Sequence, residues 1–258
     1  MHPELNSICL RLESAQASQN LACARAAGGE TLRLPGALGV HLGPGHMLNQ
    51  GLALGLGGGL PSEDLDRLEG FLGRGVDPVV VELSPGADPD LAARLAARGY
   101  RIRQFQQVWI RGMGDALAEP GVDVRPARPE EAELCAQVVM AGFLDRDELP
   151  AVDAAALAMA RGEGTRVFLA RVDGQPAGAG AVGLHGDVAA LSGTSVLPRF
   201  RGRGLQRALI LARLAFAQAR GCSAACSATL PGTQSQANLE RTGFRVAYPK
   251  LELVLEKT

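Results

Sequence analysis

Two stretches of this chain, 146 residues apart, carry the same landmarks in the same order, and this repeat constrains the fold more than any other feature. In the C-terminal copy, Arg220-Gly221 precedes the strand-like run Ser223–Leu230. Pro231-Gly232, a short helical stretch and Leu239-Glu240-Arg241-Thr242-Gly243-Phe244-Arg245 follow. In the N-terminal copy, Arg74-Gly75 precedes Val79–Leu83. Pro85-Gly86, a short helical stretch and Leu95-Ala96-Ala97-Arg98-Gly99-Tyr100-Arg101 follow. Gly75 to Pro85 and Gly221 to Pro231 are both 10 residues, whereas Gly86 to Gly99 is 13 against 11 for Gly232 to Gly243. We read the repeat as a duplicated domain, residues 1–118 and 119–258, with Gly112–Gly121 as the connector. At 258 residues the chain is long enough for two modest domains.

Hydrophobic periodicity predicts a helix over about Leu5–Ala26 and short strands near 31–34, 38–42 and 51–56. A helix over Ser62–Leu72 follows, with Ser62 as its N-cap and Glu63 and Asp64 in its first turn. Arg101–Arg111 reads as a strand. The second copy opens with a strand at Val122–Arg125. Two helices, Pro129 to Gly142 and Ala151–Arg161, flank a charged loop at Phe143–Pro150. Thr165–Val172 and Gln175–Leu184 pair through an Asp173-Gly174 turn. A strand at Asp187–Leu197 feeds a helix whose apolar stripe is Leu205, Ala208, Leu209, Ala212, Ala215, Phe216 and Ala219. Lys250–Lys257 reads as a closing strand. The order β-α-α-β-β-β-α-β-α-β-β places the chain in the α/β (α+β) class.

The segment between that strand and that helix is the chemically informative one. Arg199-Phe200-Arg201-Gly202-Arg203-Gly204 sits directly before Leu205. The first amides of a helix lack partners within it, and the helix dipole adds partial positive charge there. Glycines let backbone approach a phosphate closely, and arginines add full charge. The equivalent loop of the first copy, Gly55 to Ser62, has glycines but no arginine, and the acids that follow it repel an anion. Its spacing also fails the dinucleotide GxGxxG pattern at Leu60.

Composition limits the alternatives. Hydrophobic residues make up 47% and charged residues 21%, so a real core forms. A net charge of −1 speaks against a nucleic-acid binder, which leaves the arginines as local devices. Lys occurs only at positions 250 and 257. Five widely spaced cysteines, Cys9, Cys23, Cys135, Cys222 and Cys226, do not form a disulfide framework. Cys222 and Cys226, four apart on a probable strand and facing the same way, read as small buried residues rather than a metal or redox pair, and no metal site is expected. No apolar run is long enough to span a membrane. A cytoplasmic protein with no membrane partner is expected.

The order of elements, VLPRFRGRGLQRAL and the NLERTGF ending resemble the GNAT superfamily of acyl-CoA-dependent N-acetyltransferases over about 122–258. The N-terminal half, through the repeat, is similar to a degenerate copy, as in tandem members with one silent half. The resemblance implies two mixed, mostly antiparallel sheets flanked by helices, with a splayed central strand pair in the second. It implies acetyl-CoA (coenzyme A) as cofactor. The family's Gln/Arg-x-x-Gly-x-Gly/Ala loop maps onto Arg201, Gly204 and Gln206, the last a departure from the usual small residue. A register shifted by two, Arg199, Gly202 and Gly204, also satisfies the string. We prefer the first because Leu205 then takes the family's usual Ile/Val place.

What the resemblance implies for single residues follows. Backbone from Leu191 to Leu197 pairs with pantetheine, and the amide near Val196 stabilises an oxyanion. Amides of Gly202, Arg203, Gly204, Leu205 and Gln206 hold the pyrophosphate. Arg201, Arg203 and Arg207 are candidates for its charge, Arg203 and Arg207 serving a solvated face equally well. Ser235 and Asn238 contact the cofactor or cap a helix. The family's usual Tyr is missing near Leu239, which leaves Tyr248 as the candidate catalytic residue. The usual Glu of the strand before the loop is also missing, and Ser192, Thr194 and Ser195 there serve only to position water. His185 reads as a turn residue. Asp145, Asp147 and Glu148 attract a cationic acceptor or are a solvated charge run.

The leading reading is an N-acetyltransferase that moves an acyl group to an amine of a small molecule or protein. The alternative is a non-catalytic acyl-CoA-binding sensor or scaffold, which the missing Tyr and Glu favour. An RNA-binding patch at Arg199–Gly204 is disfavoured by the net charge, and a nucleoside triphosphatase by the lack of Gly-Lys-Ser/Thr. The oligomeric state is left open.

Overall fold

The computed structural model describes residues 3–46, 48–75, 78–114 and 122–256. The first half runs α1 (Pro3–Ala26), β1 (Glu30–Leu34), β2 (Ala37–His41), β3 (Gln50–Leu52), α2 (Ser62–Leu72), β4 (Val79–Leu83), α3 (Leu91–Ala97) and β5 (Arg101–Gly112). The second runs β6 (Asp123–Pro126), α4 (Ala132–Phe143), α5 (Ala154–Arg161), β7 (Thr165–Val172), β8 (Gln175–His185), β9 (Val188–Val196), α6 (Leu205–Gln218), β10 (Ala224–Thr229), α7 (Gln234–Arg241) and β11 (Arg245–Leu255). The expected boundary between 118 and 119, and most of the expected connector, lie outside the described residues.

Local chemistry accounts for most elements. In α2, Leu65, Leu68 and Leu72 recur at helical spacing and are buried. Asp173 and Gly174 both take positive φ, 50° and 74°, which suits the tight turn joining β7 to β8. Four expectations need correction. Ser62 lies inside α2 rather than at its cap; Pro61 holds that position, with no side-chain cap bond. Instead of two closing strands, the chain ends in the one long β11, with register shifts at Val246/Tyr248 and Glu252/Leu253. Cys222 precedes β10 rather than sharing that strand with Cys226. The apolar stripe of α6 is rotated: Leu205, Leu209, Arg213 and Ala217 are buried with Ile210 and Leu214, while Ala215 and Ala219 are exposed. The wide buried face reflects packing against both β8 and β9 on one side and α7 on the other.

All strands join one mixed, mostly antiparallel sheet of eleven, ordered β1-β2-β3-β4-β11-β5-β10-β9-β8-β7-β6. The repeat is visible in it. At the offset of 146, α2, β4, α3 and β5 superpose in sequence on α6, β10, α7 and β11. The last strands, however, are exchanged. β11 lies between β4 and β5 of the first half, and β5 lies between β11 and β10. Each half therefore closes its sheet with the other's final strand. Two leucine-rich cores, one per half, flank a third cluster in which Cys9 and Leu12 of α1 meet Val108, Ala190, Cys226 and Tyr248 from both halves.

All five cysteines are free and buried. No described helix is long and apolar enough to cross a membrane.

Candidate active site

β9 and β10 run parallel and pair only from Val188↔Ala224 to Ala190↔Cys226. Beyond that point they separate, and the Ser227 hydroxyl reaches across to the Leu191 carbonyl at 3.1 Å. On its other side β9 stays paired with β8, but its register shifts between Ser192 and Ser195. Two residues, Gly193 and Thr194, there face the single Gly180, and Gly193 takes a φ of 54° that favours glycine. Further along, Leu197 donates to Ala177. The alternation of an antiparallel ladder then turns the Val196 backbone groups away from β8, toward the gap.

A single 3₁₀ turn, Pro198–Phe200, ends the strand, and buried Phe200 anchors it. The chain then reaches α6 through Gly202 and Gly204, at φ 77° and 74°. Among the described residues, no protein acceptor takes the amides of Gly202 through Arg207. These amides face a cleft of about 830 Å³, whose lining includes Val196, Gly204, Arg207, Ser235, Asn238 and Arg241. The side chains divide in two. Arg201 is held in place: it donates to the carbonyls of Val196 at 3.2 Å and Gly142 at 2.9 Å, and pairs with Asp145. Arg203 meets only the Phe200 ring, at 5.6 Å, and Arg207 has no ion-pair partner among the described residues. Arg207 and Arg241 carry the positive charge of the cleft lining that no described carboxylate pairs, and Arg203 lies outside that lining.

Gln206 faces α7. Its amide donates to Ser235 at 3.4 Å and accepts from Asn238 at 2.7 Å. The larger residue at this position thus ties two helices together beside the cleft instead of lying over the loop. The acidic loop has a different role from an acceptor lure. Asp147 accepts from the Arg199 amide at 3.1 Å, and Asp145 pairs with Arg201, so both brace the arginine loop.

A narrower slot of about 320 Å³ shares Phe143, Thr194, Gln206 and Ser235 with the cleft and passes between the separated strands. Ser192, Gly193 and Thr194 line it. Ser195 does not offer its hydroxyl there, because it donates to Val138 and Val139 of α4 at 3.1 and 3.0 Å. The far end belongs to the first half: Gln16, Gln19 and Asn20 of α1, Glu82 of β4 and Gln106 of β5. Sequence reading found none of these. The signal present was Glu82, an acid inside the otherwise apolar run Val79–Leu83.

Behind that end lies a buried ionic network. Lys250 bonds Glu82 at 2.7 Å, Gln16 at 2.9 Å and Glu13 at 3.5 Å. Burial pulls its ammonium down, but Glu82 and Glu13 outweigh this and hold it above the ordinary lysine value. Burial pushes the Glu13 carboxyl up, with Lys250 opposing. Tyr248 belongs to this network and corrects an expectation. It is 2% exposed, lies in the shared core rather than along the slot, and donates its hydroxyl to Glu13 at 2.9 Å. Burial and the Glu13 charge push its phenol far above the usual value, so it is a poor proton donor. His185 shares its Nε2 with Gln19 at 3.0 Å, and burial lowers its pKa.

Sequence reading also missed Arg213. It is 0% exposed, donates from Nε to Leu209 and from Nη1 to Ala181 and Ser192, and lines the slot.

A parallel strand pair that splays ahead of a glycine-arginine turn and a helix defines the class: the GNAT fold, present in tandem. Residues 134–244 match the sequence model of the Acetyltransferase (GNAT) family, and this segment is a GNAT-family domain. Searching curated proteins gives no match. Among solved structures, the chain is similar to a GCN5-related N-acetyltransferase from Kribbella flavida, with a TM-score of 0.71 and 20% identity over 97% of this chain and 96% of that one. It is similar to a tandem GNAT protein from the clavulanic acid biosynthesis pathway, with a TM-score of 0.62 and 16% identity over 99% and 95%. A third, a GCN5-related N-acetyltransferase from Sphaerobacter thermophilus, has a TM-score of 0.60 and 16% identity over 88% and 76%. At these identities the likeness concerns the fold.

Proposed function

We propose that the second half binds acetyl-CoA and transfers its acyl group to an amine, and that the first half builds the acceptor's side of the slot. The observation that carries this is the row of unpartnered amides at Gly202–Arg207, open to a cleft that leads into the gap between β9 and β10. Gly202, Arg203, Gly204, Leu205 and Gln206 offer their amides to the pyrophosphate, with charge from Arg203, Arg207 and Arg241. Arg201 shapes the loop, and Ser235 and Asn238 form the cleft's other wall. The free edge of β9 at Val196 pairs with pantetheine amides, and Leu197, buried behind it, keeps that edge in register. The amide near Val196 stabilises the oxyanion of the tetrahedral intermediate, and the register shift at Gly193–Thr194 bends β9 just before it.

The thioester supplies the acyl carbon; the amine nitrogen bonds to it and the carbon–sulfur bond breaks. No side chain is assigned as the acid for the departing thiolate. Glu82 is the one carboxylate among the described slot residues, and Lys250 already takes it up, so the proton that the attacking amine loses passes to water. Orientation of the two reactants supplies much of the rate.

Calorimetry with coenzyme A and acetyl-CoA tests binding, and thiol release across an amine panel tests transfer. One site per chain and amine-dependent release are expected. Well-folded protein that gives no heat with either form ends this reading.

A further inference from the structure

We infer that whatever occupies the slot carries a carboxylate, on the acyl chain or on the amine acceptor, and that Nη2 of Arg213 with the Thr194 hydroxyl receives it. This deepens the acyl-transfer reading and rests on it.

Arg213 is an arginine without a counter-ion. Three of its contacts are backbone carbonyls: Leu209 at 2.9 Å, Ala181 at 2.8 Å and Ser192 at 3.3 Å. Nη2 is buried and has no partner among the described residues, while the side chain lines the slot. A guanidinium stays protonated in proteins. Burial lowers the Arg213 pKa to about 9, which still leaves it charged at neutral pH. The one carboxylate of the slot, Glu82, sits at the far end and is taken up by Lys250.

A structural role accounts for part of this and not the rest. Nη1 props the bulge, where the ladder between β8 and β9 shifts register, while Nε bonds back to Leu209 on its own helix. Nothing in that role calls for a buried charge with an unpartnered donor on a side chain that lines a cavity, which costs free energy until an anion arrives. The surroundings make room for the guanidinium. A Cβ added at Gly180 would meet its Cζ and Nη1 at 3.0 Å and the Thr194 hydroxyl at 3.1 Å. Thr194 is therefore beside the guanidinium, and its own hydroxyl has only a 3.5 Å contact with Ser192. Two donors side by side match the two oxygens of a carboxylate. A plain acetyl group brings a neutral carbonyl and leaves the charge unmatched.

The test uses the whole wild-type chain in two arms. In the first, affinities of malonyl-CoA and succinyl-CoA are compared with those of acetyl-CoA and propionyl-CoA. In the second, with acetyl-CoA as donor, kcat/KM for glycine and β-alanine is compared with that for ethylamine and ethanolamine. In one arm, the carboxylate-bearing member is expected to be favoured about ten-fold or more, the scale of a charge-assisted hydrogen bond. Arg213→Met should bring that ratio to within about two-fold, as should Gly180→Ala, which crowds the guanidinium without removing it. If Arg213→Met fails to fold, the wild-type ratios and Gly180→Ala decide. No carboxylate preference in either arm overturns the inference. So does a preference that survives Arg213→Met, or an equal loss of kcat for every donor and acceptor, which would assign Nη2 to the reacting carbonyl. Coenzyme A binding without a carboxylate preference overturns this inference alone; absence of coenzyme A binding overturns the acyl-transfer reading and this one with it.

Discussion

The N-termini of α2 and α6 occupy equivalent places in the two halves and differ in chemistry. Each follows a strand and a glycine-containing turn, and that strand pairs only briefly with its parallel neighbour, at Gly51↔Val81 in one half and at three positions in the other. Arg203 stands just ahead of α6 and Arg207 in its first turn, with unpartnered amides open to a cleft. In the first turn of α2 stand Glu63 and Asp64, and Asp64 pairs with Arg67 at 2.8 Å. The same backbone end is thus flanked by arginines in one half and neutralised by carboxylates in the other. The first half has not become idle. Its Glu82, Gln106 and α1 close the far end of the second half's slot, and its β5 and β4 clasp β11. One copy holds the cofactor loop while its twin has become a wall and a scaffold.

The test with the largest expected effect asks whether the halves stand or fall together. Lys250→Met leaves Glu13 and Glu82 buried without a cation and should cost about 3–5 kcal/mol. A single shifted thermal transition is expected, because the network joins α1, β4 and β11. Two separate transitions would show the halves to be independent.

A second test targets a clamp at the outer edge of the second half. Buried Glu131 accepts from Arg125 at 2.7 and 2.8 Å, the Arg128 amide at 2.9 Å and Arg171 at 3.0 Å. The Arg125 bonds, then the Arg128 amide, hold its carboxyl well below the usual range. A depressed native pKa stabilises fully above the unfolded value of about 4.3 and is lost as pH falls toward the native one. Glu131→Gln should cost about 3 kcal/mol at pH 7, and denaturant midpoints should show the gap to wild type shrinking at about pH 3. A gap that widens in acid would contradict the assignment.

Third, making α6 resemble α2 should abolish the difference between them. Arg203→Glu with Arg207→Glu is expected to weaken coenzyme A binding by about thirty-fold or more in calorimetry, with thermal stability nearly unchanged. An unchanged affinity would remove the cleft from the binding site. The smallest effect is expected from the reverse change. Glu63→Arg in α2 should leave the stoichiometry at one coenzyme A per chain, since charge alone does not open a cleft. A second equivalent bound would refute the silent-half account.

Much of this was readable from residues. The span of α2, the Asp173-Gly174 hairpin, the anion loop and the offset of 146 between the copies follow from periodicity, turn chemistry and spacing, which are local properties. Side-chain partners were less accessible. Asp145 and Asp147 look like a solvated acidic loop until the fold brings Arg201 and Arg199 to them. Tyr248 looks like a spare acid until Glu13, 235 residues away, accepts its hydroxyl. Arg213 carried a signal, since it lies one turn from Leu209 on the buried face of α6, but its meaning needed the bulge in β9.

By itself, then, the order of residues determined the elements and which helix end carries glycines and arginines, because each depends on neighbours within a turn or two, and the spacing of landmarks marked the repeat. Tertiary structure alone decided the exchange of β5 and β11, the composite slot and the buried charges of Arg213 and Lys250. Those depend on contacts between segments remote in the chain, 21 and 32 residues apart for Arg213 and 168 for Lys250 with Glu82, which no local pattern encodes.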